Sequence, residues 1–172
     1  MLDTKKDTVC DEDTFSGIYT SYAKDLHDYL YYKYGNQLDI NDKVQEAFIK
    51  LWKNCKDILP EKARAFLFRV GKNMMLNEFK HQKVVLKYKE VLPKGYTNET
   101  PEFLMEQEQF YQKYQRALSS LSEEQRIAFL LNKVEGKRHK EIAKMLNVTT
   151  RVVEYRIYSA FKLIKEQVEE FR

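Results

Sequence analysis

The side chains best suited to chemistry in this sequence are cations set among aromatic rings. Residues 61–90 carry Lys62, Arg64, Arg69, Lys72, Lys80 and Lys83 alongside Phe66 and Phe79, and residues 137–162 carry Lys137, Arg138, Lys140, Lys144, Arg151, Arg156 and Lys162 alongside Tyr155 and Tyr158. Such groups hold phosphates by charge and unpaired bases by stacking; they break no covalent bond. Groups that would do covalent work lack the spacing for it. Cys10 and Cys55 make no Cys-x-x-Cys pair, and His27, His81 and His139 are too far apart for a local metal-ligand cluster. No phosphate-cradling glycine loop, triad-like grouping or cofactor motif occurs. The expectation is a binding protein with no catalytic residues, no metal, no cofactor and no small-molecule substrate.

Charge distribution sharpens this reading. The 172 residues carry 30 Lys and Arg against 26 Asp and Glu, a net charge of +4 that by itself argues for no particular partner. Counted by position, residues 1–60 hold 8 positive and 11 negative groups, 61–89 hold 8 and 2, 90–124 hold 3 and 7, and 125–172 hold 11 and 6. Two basic blocks separated by an acidic one suggest two surfaces that each track a phosphate backbone. A Lys-rich helix is often only a solvated face, so the elements must decide.

Those elements read as helices. With 5 Gly and 3 Pro, and no sustained alternation of apolar and polar residues, the chain is expected to be all-α, built as two small helical domains on a flexible linker. Pro93, Gly95, Thr97, Asn98 and Pro101 mark the linker, which separates a domain at 10–90 from one at 108–172, with 91–107 between them. A first helix over 14–34 holds six tyrosines and ends near Gly35 and Asn36; these rings could stack bases but are expected to pack in core and interface. A second starts at Asn41 as N-cap, with Val44, Ala47, Phe48, Leu51 and Trp52 on an apolar stripe and Asp42, Lys43, Gln45, Glu46 and Lys50 opposite. In the third, Ala65, Phe66, Val70, Met74 and Phe79 are the apolar positions.

In the C-terminal half, Ser122 and Gln125 form a capping box opening a helix with Ile127, Leu130, Leu131 and Val134 inward; Gly136 ends it. A short helix over 139–146 follows, then a longer one from Thr150 with Val153, Ile157, Phe161 and Ile164 inward. Ala143, Asn147 and Val153 fit a helix-turn-helix: a small residue where two helices cross closely, a residue that accepts a left-handed turn, and a β-branched residue beyond it. The flanking cations favour duplex binding. The polar, acidic N-terminus and the lack of ~18 consecutive apolar residues argue against a signal peptide or membrane insertion. A cytoplasmic protein with reduced thiols and no disulfide is expected.

The ordered motifs resemble the extracytoplasmic-function (ECF) group of bacterial RNA polymerase sigma factors. NDKVQEAFIKLW at 41–52 is similar to region 2.2 of that family, ARAFLFRVGKNMMLNEFKHQ at 63–82 to the region that follows it, and residues 117–166 to region 4. The resemblance implies a transcription initiation factor whose partners are core RNA polymerase, promoter DNA and an anti-sigma factor. By it, Asp42, Gln45 and Glu46 contact core polymerase. Lys62, Arg64, Arg69, Lys72, Asn73 and Lys80 serve the −10 element, and the segment from Lys53 to Glu61 captures a flipped base. Thr150, Arg151, Glu154, Tyr155, Arg156, Tyr158, Ser159 and Lys162 face the −35 element, with Arg156 the first choice for pairing a guanine; Ser159 stands where the family often has Arg. Phe66 stands where the family often has Trp and is expected in the core. The competing reading is an ordinary duplex-binding regulator in which residues 1–90 sense a signal or dimerise.

Overall fold

The computed structural model describes residues 8–35, 38–78 and 101–168, all of whose regular structure is helical. The chain divides into two compact units, Met1–Leu86 and Lys87–Arg172.

In the first unit, α1 (Glu12–Tyr34) begins where the Asp11 carboxylate accepts from the Thr14 N–H at 3.0 Å. It ends at Gly35, whose φ of 79° suits a residue without Cβ and whose N–H donates to the Tyr31 carbonyl at 2.7 Å. Helix α2 (Ile40–Lys53) is capped by Asp39, which accepts from the Asp42 N–H at 3.1 Å. Asn41, expected as the cap, lies inside the first turn, because an Asx residue two positions earlier takes that role. Helix α3 (Pro60–Glu78) opens on a proline whose missing N–H costs nothing at a helix start.

The three helices pack on one another around Leu26, Leu30, Phe48, Leu51, Leu67 and Met75. Burying each such side chain contributes roughly 1.5–3 kcal/mol before chain entropy is subtracted. The apolar stripe of α3 differs from the expected one. Ala63, Leu67, Gly71, Met74 and Met75 are buried, whereas Ala65 is exposed and Phe66 and Val70 only half-buried. Gly71 explains the phase: a Cβ there would sit 3.1 Å from Leu26 Cδ1 and 3.3 Å from Leu30 Cδ1, so α1 and α3 cross too closely for a larger residue unless those leucines shift. Of the tyrosines, Tyr32 is buried while Tyr19 is 46 % exposed. Asp28, buried in α1, receives the Lys24 ammonium at 2.8 Å, which offsets the cost of enclosing its charge.

The expectation of reduced thiols is corrected here. Cys10 and Cys55 form a disulfide, with Cα atoms 5.0 Å apart across a sequence separation of 45. The buried Val9 turn packs into the first unit's core and so brings Cys10 to the segment after α2, a proximity that no local spacing reveals.

The second unit contains α4 (Pro101–Ser120), α5 (Glu123–Lys133), α6 (His139–Leu146) and α7 (Thr150–Gln167). Residues 101–107, read from sequence as linker, are the opening turns of α4; residues 79–100, which hold the rest of that linker together with Phe79, Lys80 and Lys83, lie outside the described residues. The Ser122–Gln125 capping box forms in both directions, at 3.1 and 3.2 Å. Helices α4, α5 and α6 all pack against α7, whose Val153, Ile157, Ala160 and Ile164 are buried.

Candidate nucleic-acid interface

Three residues link α6 to α7, and their geometry follows from Asn147. Its φ of 54° and ψ of 48° are left-handed, a conformation asparagine tolerates better than most residues. The chain therefore reverses within one residue, and the Val148 N–H closes back onto the Ala143 carbonyl at 3.0 Å. Ala143 is 6 % exposed and Val153 fully buried, so a small side chain and a β-branched one occupy the crossing as the sequence pattern requires. Thr149 then caps α7 by accepting from the Val152 N–H at 3.3 Å.

On α7 the inward residues fix what faces out. Arg151, Tyr155, Tyr158 and Lys162 follow at intervals of 4, 3 and 4 and are all exposed, forming one face of the helix. Glu154 is exposed on its flank, with a carboxylate oxygen 3.6 Å from His139 Nδ1 at the start of α6, and Thr150 is half-buried. Arg156 and Ser159 are turned toward α5. The Arg156 guanidinium donates to Glu124 Oε2 at 2.6 Å and its side chain is only 16 % exposed, while the Gln125 amide donates to Ser159 Oγ at 3.0 Å. The first-choice guanine reader thus joins α5 to α7. Val152, which the inward and outward lists of the sequence both passed over, is exposed beside Tyr155. On α6, Lys140 and Lys144 are exposed as well.

In the first unit, Lys62, Arg69, Lys72 and Asn73 are exposed, and their spacing keeps them within roughly a 100° arc of α3. Half-buried Phe66 borders this arc, with the Arg69 guanidinium 5.9 Å from its ring centre. Arg64 departs from the set. It lies at the rim of the buried face, stacked 5.0 Å from the Phe68 ring, with one guanidinium nitrogen enclosed. Lys80 lies outside the described residues. Between α2 and α3, the Asn54 amide donates to the Lys50 carbonyl at 2.7 Å, and the disulfide at Cys55 fixes the same segment from the other side.

The polar face of α2 is unevenly available. Asp42 and Gln45 are exposed, but Glu46 is engaged by Lys50 at 3.1 Å and by Lys43 at 3.8 Å. The hydrogen bond from Lys50, opposed by partial burial and aided by both ammonium charges, holds its carboxyl below the ordinary range. Lys43 itself reaches across to Glu78 of α3 at 2.6 Å; that bond, with the nearby carboxylates and against some desolvation, holds its ammonium above the ordinary value. Beside Gln45 lies an open apolar groove of about 560 Å³ lined by Phe15, Tyr19, Phe48, Ile49 and Trp52. Ile49 and Trp52 are 53 % and 42 % exposed, so Trp52 belongs to a surface and not to the core stripe that its spacing predicts.

A capped helix-turn-helix with a cationic, aromatic outer face, preceded by a separate helical unit with its own cationic face, is an arrangement suited to two-part nucleic-acid binding. Comparison with known families narrows the class: the model of sigma-70 region 2 matches residues 18–84 and the model of sigma-70 region 4 matches residues 111–164. The chain belongs to the ECF group of the sigma-70 family. It is 28 % identical over 137 residues to the ECF RNA polymerase sigma factor SigE of Mycolicibacterium smegmatis, covering 77 % of this chain and 52 % of that protein. The chain therefore spans about half the length of this curated relative. No helix among the described residues is long and apolar enough to cross a membrane.

Proposed function

We propose that this chain binds core RNA polymerase, directs it to promoters through their −10 and −35 elements, and assists strand opening without catalysing a reaction itself. One observation carries the proposal: two compact helical units, in the order of sigma regions 2 and 4, each present an outward helix face combining cations with aromatic rings. Within it, α7 reads the duplex at −35 through Arg151, Glu154, Tyr155, Tyr158 and Lys162, with Thr150, Arg156 and Ser159 at its edge. The α3 face of Lys62, Arg69, Lys72 and Asn73 holds the opened −10 strand, assisted by Arg64, Lys80 and the segment before α3.

Docking on core polymerase falls to Asp42 and Gln45, with Glu46 behind them. The apolar groove alongside supplies the desolvated contact that a polar rim alone lacks. The same surface suits an anti-sigma factor that would exclude polymerase. The site of action is the cytoplasm. Run-off transcription with purified core enzyme on a genomic promoter library tests the reading: addition of the chain should redirect initiation to a defined promoter subset, and unchanged initiation would refute it.

A further inference from the structure

A recognition helix commonly reads guanine through an arginine or lysine near its N-terminus, where base edges come closest. Here Arg156 is withdrawn. It is held at 2.6 Å by Glu124 and is 16 % exposed, on the side of α7 that packs toward α5. Exposed Arg151 remains at the helix start, and beside it the opening turns of α7 offer apolar surface: Val152 is 37 % exposed and Tyr155 is 71 % exposed, three positions apart and therefore neighbours on the helix. Val152 is fixed at the helix start, since its N–H caps onto Thr149. Val152 is thus only partly covered by its own unit, and Tyr155 beside it is largely open to solvent.

We propose that Val152 and Tyr155 read thymine in the −35 element by apolar contact with its C5-methyl group. This rests on the reading of α7 as the −35 reader and goes beyond it by naming the base and the chemical group. In the major groove the thymine methyl is the apolar feature of a base pair, and it is the group against which an aliphatic or aromatic side chain gains by excluding water. The surroundings suit a duplex occupant. Arg151 and Lys162 on α7, with Lys140 and Lys144 on α6, are exposed and supply charges that meet phosphates on either side of a base contact. A purely apolar partner would leave those cations unmatched.

The test uses the full chain with core enzyme. The −35 element is first defined by selection from a randomised promoter library, and each thymine in it is then replaced singly by deoxyuridine, which removes the methyl and keeps the hydrogen-bonding edge. Affinity should fall about 3–10-fold at one or two thymines, the scale of one lost methyl contact. Val152→Ala should shrink that thymine-to-uracil difference, and Tyr155→Ser should do the same at the adjacent position, with helical content unchanged by circular dichroism. A selected −35 element whose affinity ignores every uracil replacement would overturn the proposal while leaving the −35 reading intact. A uracil effect that both variants retain in full would overturn it too. Failure to select any −35 sequence would instead refute the parent reading.

Discussion

Arg156 shows how far the type of a residue falls short of its role. A helical wheel makes it polar and outward; it does not reveal that Glu124, on α5, meets it at 2.6 Å. The Arg156 side chain is 16 % exposed but its partner carboxylate is 67 % exposed, and water screens the pair from that side, so its contribution to folding is small. We expect Arg156→Ala and Glu124→Ala each to destabilise the second unit by about 0.2–1 kcal/mol in denaturant titration, with the double variant costing no more than either alone. Additive losses would mean that the two side chains do not act together. Gly71 is the opposite case, a residue with no side chain on which a helix crossing depends. Leu26 and Leu30 are fully buried and would have to move off a 3.1 and 3.3 Å approach into packed surroundings, so the bulkier Gly71→Val should cost about 1–3 kcal/mol of stability by thermal melting.

Helices show how much of the fold was legible in the sequence. The Ser122–Gln125 box, the left-handed Asn147 and the buried Ala143–Val153 crossing were all readable because capping and turn chemistry are local. The stripe of α3 was misphased because Ala65 and Phe66 advertise apolarity that the Gly71 crossing leaves on the outside. The resemblance grouped Lys62, Arg64, Arg69, Lys72 and Asn73 in one −10 set, whereas on the helix Arg64 stands apart from the others and turns onto Phe68. Trp52 and Ile49 escaped because the two helices that frame their groove meet only in three dimensions. Helix α4 carries a prediction of its own. Burial pushes the Tyr114 phenol up to about 12, from an ordinary value of 10. The neutral ring is favoured in the folded state, so its contribution is intact below pH 10 and is lost as pH rises from 10 toward 12. Tyr114→Phe should flatten the alkaline decline of the second unit's stability over that window; an unchanged decline would assign it to other groups.

Across the whole chain, the division into two units should be visible in unfolding. Both ends of the Cys10–Cys55 bond lie in the first unit, and the cross-link closes a loop spanning 45 positions. Restricting a denatured chain by a loop of that size is worth up to ~4 kcal/mol. In calorimetry, adding a dithiol reductant should lower the melting transition of the first unit and leave that of the second in place. A joint shift of both would contradict their independence. The proposed functional division follows the same line, with the first unit holding an opened strand and the second reading closed duplex.

Permanganate, which oxidises unpaired thymines, tests that division directly on a promoter bound by core polymerase and this chain. The account predicts reactive thymines at the −10 element and protected, unreactive duplex at the −35 element, with the −10 reactivity diminished by combined alanine substitution of Lys62, Arg69 and Lys72. Reactivity absent from the −10 element in a promoter-specific complex, or appearing equally at both elements, would contradict it.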